Sequence, residues 1–171
     1  MRQPVHNTLC ACYLYQMQIR KLTDDDIPAV AALMRALSEE FIVHDSAPEV
    51  QAAFILENNA AGIRRFVDAG MDYRIAVVDG CIAGFIAMRD NSHVFHMFVE
   101  KAYQRKGVAT ALWQAARLDA LAAGNPGLFT VNASNYAVPV YERMGFSGTG
   151  GMQCKNGIYY NPMQLDGRAH D

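Results

Sequence analysis

The chain has almost no charge excess. Among 171 residues, 15 Lys and Arg stand against 17 Asp and Glu, a formal net charge of −2. A protein that grips nucleic acid by bulk electrostatics needs a basic surplus, and no basic tract occurs, so nucleic acid is not an expected partner. Long apolar runs are missing too. The mildly apolar residues 8–15, preceded by Arg2, are too short to span a bilayer and carry no small-x-small cleavage pattern, so no membrane association is expected. Cysteine is sparse: the four, Cys10, Cys12, Cys81 and Cys154, form neither a zinc ligand set nor a disulfide framework. No metal is therefore expected, and a reduced, cytoplasmic setting is the simplest reading. Repeats, low-complexity tracts and linker-like stretches are also lacking. What remains is a chain with 51% apolar and 19% charged residues, long enough for one domain with a sizeable core.

The most informative stretch runs over residues 93–117. Residues 93–99, His-Val-Phe-His-Met-Phe-Val, are aromatic and β-branched and predict a buried strand. A short basic turn follows, Gln104-Arg105-Lys106-Gly107. From Val108 the period changes, with Val108, Ala111, Leu112, Ala115, Leu118 and Ala122 predicting one apolar helix face. Strand, glycine-bearing basic turn and helix make an anion site. The first N–H groups of a helix lack intrahelical partners, and its dipole adds positive charge there. Glycine permits close backbone approach, and Arg105 and Lys106 add full charges. From the turn alone, a corner whose cations are merely solvated is an equal reading. No Gly-x-x-x-x-Gly-Lys-[Ser/Thr] occurs, which excludes a P-loop, and one glycine argues against the three-glycine dinucleotide turn.

The segment Gln104-Arg105-Lys106-Gly107-Val108-Ala109 resembles the pyrophosphate loop of the GNAT N-acetyltransferase superfamily, Gln/Arg-x-x-Gly-x-Gly/Ala after a strand. A second block, Val131-Asn132-Ala133-Ser134-Asn135 through Tyr141 to Gly145-Phe146, is similar to the family's asparagine-ended strand, short helix, tyrosine and Gly-Phe. The two blocks stand in the family's order. The resemblance covers residues 17–165. Two departures are small: Ala109 replaces the commoner last glycine, and Glu100-Lys101-Ala102 lacks the usual proline.

The resemblance implies a mixed α/β fold, a mostly antiparallel central sheet flanked by helices. It implies acetyl-CoA as cosubstrate and a primary amine as acceptor. Phe98 and Val99 would pair their backbone with the pantetheine amides. Gln104, Arg105, Lys106, Gly107, Val108, Ala109 and Thr110 would hold the pyrophosphate, and Asn132 and Asn135 would contact cofactor or its water. Tyr141 matches the general acid, since a phenol is protonated at neutral pH and can donate to a departing thiolate. A packing tyrosine is the alternative.

His93 and His96 compete for general base, an imidazole titrating near the working pH. Strand alternation predicts that they face opposite sides, with His93 sharing a face with Phe95, Met97 and Val99. Water, Glu39 or Glu40 are further candidates.

Near-neutral charge and compact size favour a small-molecule acceptor. A protein or peptide amine and a CoA-binding module without turnover are the alternatives. Another acyl donor such as succinyl-CoA would need extra cationic groups at the acyl end, and none is compelling. A homodimer is compatible with the sequence.

The rest of the chain predicts further elements. Residues 1–16 read as an appended segment and residues 166–171 as a polar tail, with strand character fading from Leu165. A strand is expected at 18–22, then a helix capped by Thr23 or Asp24 with Ile27, Val30, Ala31, Met34 and Leu37 buried. The acidic residues 39–45 are a candidate amine-recognition cluster or, more simply, a solvated helix end. A second helical stretch over 48–69 should break at Asn58-Asn59 and Gly62. Asp79-Gly80 predicts a hairpin between strands 73–78 and 81–88, and residues 128–131 a strand parallel to 93–99. A helix from about Asn135 should stop at Gly145, and a last hairpin should turn at Lys155-Asn156-Gly157 between strands 146–154 and 158–164.

Overall fold

The computed structural model describes residues 16–44 and 46–167. The expected appended segment therefore lies outside the described residues, Gln16 excepted, as does Asp45 of the acidic cluster. Strand β1 (Met17–Lys21) leads through a 3-10 turn (Asp24–Asp26) into α1 (Ile27–Phe41). Thr23 and Asp26 form a reciprocal capping box, and Arg20 grips the Asp26 carboxylate at 2.6 and 2.9 Å. α1 buries Ile27, Val30, Leu33, Met34 and Leu37, a stripe at helical spacing.

The stretch after Pro48 divides as α2 (Pro48–Glu57) and α3 (Ala60–Asp68). The break falls at Asn58-Asn59, where the Asn59 side chain caps α3 by accepting from the Gly62 amide. Gly62 itself does not break the helix. A Cβ there would lie 1.8 Å from the Glu57 carbonyl oxygen, so glycine lets the two helices meet.

The hairpin of β2 (Asp72–Val78) and β3 (Cys81–Arg89) turns at Asp79-Gly80, both at positive φ, as the pair predicted. β4 (His93–Val99), α4 (Val108–Ala122) and β5 (Leu128–Ala133) form the crossover, with β4 and β5 parallel. α5 is one short helix, Val138–Arg143, later than expected. Its Pro139 sits in the first turn, where a missing N–H costs least.

The closing strands differ more. β6 is two residues (Ser147–Gly148), β7 three (Gln153–Lys155), and both pair with the long β8 (Ile158–Asp166). Leu165 and Asp166 belong to the sheet, opposite Phe129 and Leu128, because β5 offers them a ladder partner.

The strand order is β1-β2-β3-β4-β5-β8-β6, antiparallel except for β4 against β5. Mixed α/β with a mostly antiparallel sheet is thus the fold. α1 and α3 cover one face, where Met34 and Ile63 share a core with Ile75 of β2 and Phe85 of β3. α4 covers the other with Val108, Leu112, Trp113, Ala116 and Ala120. That stripe is rotated from the predicted one: Leu118 is 65% exposed, and Trp113, wedged against Phe129 and Phe146, anchors the helix instead. One aromatic of that size outweighs several alanines in choosing the buried face.

Candidate active site

Two local irregularities of β4 build the site. β4 pairs with β5 only at His93–Thr130 and Val94–Val131, then the strands part. Beyond Val94 the β4 edge faces no β5 partner, and a cleft of about 1520 Å³ runs along the split. Such an edge can accept an extended, amide-bearing chain as a surrogate strand. The second irregularity is a bulge. Ala87 lies opposite His96 and Met88 opposite Val94, leaving Phe95 as an extra residue.

The bulge overturns the expected facing of the histidines. Val94, Met97 and Val99 lie in the α4-side core. His93, however, meets Thr130, whose strand neighbours Phe129 and Val131 point to α4, so His93 is on the opposite side. Phe95 and His96 both pack on Phe66 of α3, and Phe98 stacks on Phe85. His93, Phe95, His96 and Phe98 therefore share the α1–α3 face. His93 does not share one with Met97 and Val99. Simple alternation fails because one extra residue flips everything after it.

The two histidines differ in surroundings. His96 is sealed among Phe66, Phe85, Phe95 and Phe98, with Nδ1 3.2 Å from the Tyr73 hydroxyl. Burial pushes its pKa down to about 3, so it stays neutral and is a poor proton acceptor near neutrality. His93 is half-buried, with Nδ1 2.8 Å from Thr130 Oγ1. Burial and then the nearby Arg89 lower its pKa from 6.5, with Asp90 pulling the other way. If Nδ1–H donates to Thr130, the Nε2 lone pair is left for a substrate proton.

Glu39 and Glu40 stand apart from the cleft lining. Arg35 binds Glu39 at 2.9 Å, and Lys101 binds Glu40 at 2.7 and 3.0 Å. The second bridge ties the end of α1 to the residues after β4.

At the C-terminal end of β4 the chain enters the basic turn. Arg105 and Gly107 are both left-handed, at φ 59° and 83°, and Gly107 is the N-cap of α4. A left-handed turn leading into the first N–H groups of a helix is backbone of the kind that binds anions. A Cβ on Gly107 would meet nothing within 4 Å beyond its own chain neighbours, so the space beside it is open for a ligand. Arg105, Gly107, Val108, Ala109 and Thr110 line the cleft. Lys106 lies over the Tyr103 ring at 5.7 Å rather than in the lining. Gln104 lines the cleft, but its amide donates to the Val99 carbonyl at 3.1 Å and accepts from the Tyr136 hydroxyl at 3.1 Å. Tyr136 in turn stacks on Phe41 at 4.3 Å, so one chain of contacts crosses the mouth from α1 to the β5–α5 connection. Sequence reasoning missed Tyr136 and Phe41; an aromatic inside the second motif was the available signal for Tyr136, and Phe41 had none.

The other predicted residues divide. Phe98 and Val99 line the cleft where the β4 edge is unpaired. Asn132 is exposed on the lining, whereas the Asn135 side chain is occupied by Asn161 at 2.8 Å and does not line it. Tyr141 is buried, edge-on to Phe146 at 5.5 Å, and reaches the lining from the α4 side. Desolvation pushes its pKa up, so the phenol is held protonated and able to donate. Among the described residues no His, Cys, Asp and Glu grouping could hold a metal ion, and no helix is long and apolar enough to cross a membrane.

A seven-strand order split between two parallel strands, with a left-handed basic turn at the split, defines a mixed α/β ligand-binding class. The acetyltransferase (GNAT) domain family matches residues 32–166, well over half the chain, and the chain belongs to that family. Among solved structures it is similar to a GCN5-related N-acetyltransferase from Rhodopseudomonas palustris, 23% identical, covering 87% of this chain and 94% of that one, with a TM-score of 0.72. The PaiA N-acetyltransferase of Thermoplasma acidophilum, solved with coenzyme A, is 15% identical with a TM-score of 0.72, covering 88% and 98%. The yncA protein of Salmonella typhimurium, solved with its cofactor acetyl-CoA, is 18% identical with a TM-score of 0.65, covering 88% and 93%. At these identities the likeness is one of fold. No curated protein matches the chain.

Proposed function

We propose that the protein transfers the acetyl group of acetyl-CoA to a primary amine of a small molecule, by direct attack with both reactants bound. The observation that carries this reading is the unpaired β4 edge beyond Val94, which shares one cleft with the left-handed basic turn, Tyr141 and His93. An extended pantetheine arm has amides to pair with such an edge. The turn and the N-terminus of α4 suit a pyrophosphate. Gln104 must first yield the Val99 carbonyl it now occupies.

The chemistry follows from the side chains. The amine nitrogen attacks the thioester carbonyl carbon, the new N–C bond forms, and the C–S bond breaks. His93 takes the proton the nitrogen sheds. Tyr141 gives its proton to the departing sulfur, which leaves as thiol. Holding both reactants on one edge supplies the orientation that a bimolecular encounter lacks. The relatives solved with coenzyme A or acetyl-CoA support this choice of donor.

Thiol release from acetyl-CoA with a panel of amines tests the reading. Amine-dependent release is expected. Tight CoA binding with no release for any amine would leave a binding module, the reading this one displaces. Stabilisation or turnover only with a protein amine would replace the small-molecule acceptor.

A further inference from the structure

The acceptor end of the cleft carries a charge that acetyl transfer does not need. Arg89, the last residue of β3, lines the cleft and is the cross-strand neighbour of His93. Its guanidinium sits 5.4 Å from the Phe95 ring centroid, which fixes the side chain against the bulge. Among the described residues its acidic neighbour is Asp90, at 3.8 Å and with that side chain 84% exposed, too distant for a hydrogen bond. The planar fork of Arg89 makes no hydrogen bond among the described residues, so its donors remain available. Lys155, on the β7–β8 hairpin, also lines the cleft. That hairpin is docked on the start of α2. Just before the helix Ser46 Oγ donates to the Gly157 carbonyl at 3.2 Å, and Val50 of α2 packs so closely that a Cβ on Gly157 would lie 2.6 Å from its methyl. Glu57 of α2 is on the same lining, and no ion pair joins it to Arg89 among the described residues.

We propose that the acceptor is a free amino acid or similarly short amino-carboxylate, its carboxylate held by the Arg89 fork while His93 receives the proton of its amine. This rests on the acetyltransferase reading and names the acceptor class for it. Antiparallel cross-strand neighbours have Cα atoms about 5 Å apart, so groups on Arg89 and His93 can address two functions of one small molecule. A planar bidentate donor pair matches a carboxylate. A neutral amide, as found next to a protein's terminal amine, offers that fork no charge. The assignment therefore separates free amino acids from peptide termini.

The test uses the full chain with acetyl-CoA, a panel of α- and β-amino acids, and the matching carboxamides. Amides have less basic amines, so a larger fraction is neutral and ready to attack, and any preference for the acids runs against the supply of free amine. For the wild type, kcat/KM for the favoured acid should exceed that for its amide by about 10-fold or more, the effect of one charge-assisted contact. Arg89→Gln should erase that preference while leaving acetyl-CoA affinity and melting temperature unchanged. Calorimetry of the same acids and amides on the CoA-loaded protein gives a readout without turnover.

Acids that bind but release no thiol would sink the transfer reading and leave the carboxylate site standing. Amides used as well as acids, equal losses for both in Arg89→Gln, or no acid that binds at all would overturn the inference. So would a preference for succinyl-CoA over acetyl-CoA that Arg89→Gln abolishes, since the carboxylate would then belong to the donor.

Discussion

The two ends of the cleft are made in different ways. The anion end is one unbroken stretch, residues 104–110, whose left-handed Arg105 and Gly107 and helix start shape the backbone themselves. The acceptor end is assembled from α2, the β3–β4 edge and the β7–β8 hairpin, brought together by contacts such as Val50 on Gly157. Local backbone chemistry decides the first; long-range packing decides the second. The first should tolerate changes elsewhere in the chain, and the second should feel them.

The largest expected effect lies between the two ends. Tyr141→Phe keeps the ring packed on Phe146 and removes only the hydroxyl, so acetyl-CoA affinity and melting temperature should hold. Turnover should fall by about 10²-fold or more. Full turnover at saturating substrate would make Tyr141 a packing residue. Gly107→Val comes next. The backbone there is left-handed, which costs a β-branched residue about 1–3 kcal/mol, and the added methyls enter the open ligand space. Acetyl-CoA affinity measured by calorimetry should fall by at least about 10-fold, with amino-acid binding at the other end unchanged. Undiminished affinity would move the cofactor elsewhere.

His93→Gln probes the acceptor end by pH. The folded pKa of His93 lies below 6.5, so the wild-type imidazole is already the free base at neutral pH and loses that role only on acidification. The variant should lose rate mostly at neutral pH and regain part of it as rising pH deprotonates the amine in bulk. A pH–rate profile identical to the wild type would assign the proton to water.

His96 gives the matching stability prediction. Its folded pKa of about 3 lies below the unfolded value near 6.5, so the unfolded chain binds the proton first. Its contribution is whole above about 6.5 and is lost as pH falls toward 3, at up to about 1.4 kcal/mol per pH unit. His96→Gln should flatten the fall in melting temperature between neutral and mildly acidic buffer. An equal acid loss in wild type and variant would remove His96 as the cause. The smallest effect is Arg105→Ala. Its exposed charge in high dielectric contributes about 0–1 kcal/mol, so acetyl-CoA affinity should weaken only a few-fold and the loss should shrink in salt.

Much of this architecture was legible because it rests on local rules. The strand–turn–helix of 93–122, the Asp-Gly and Asn-Gly turns and the start of α1 all follow from residue types at fixed spacing. The misreadings have one cause each. Counting by twos along β4 put His93 and His96 on opposite faces, because a bulge leaves no mark in a single sequence. Counting small apolar residues along α4 pointed to Leu118, because the weight of Trp113 depends on Phe129 and Phe146, distant in the chain. Asn135 looked available until Asn161 was beside it. Arg89 carried no motif at all; it matters only because β3 brings it next to His93.

Trp113 has a consequence beyond packing. It is the single tryptophan of the chain, buried on α4 yet part of the cleft lining. Emission excited at the red edge of protein absorption therefore comes from one indole beside the split between β4 and β5. A ligand that enters the split changes the medium around that one chromophore, and the protein reports the event optically, without a label.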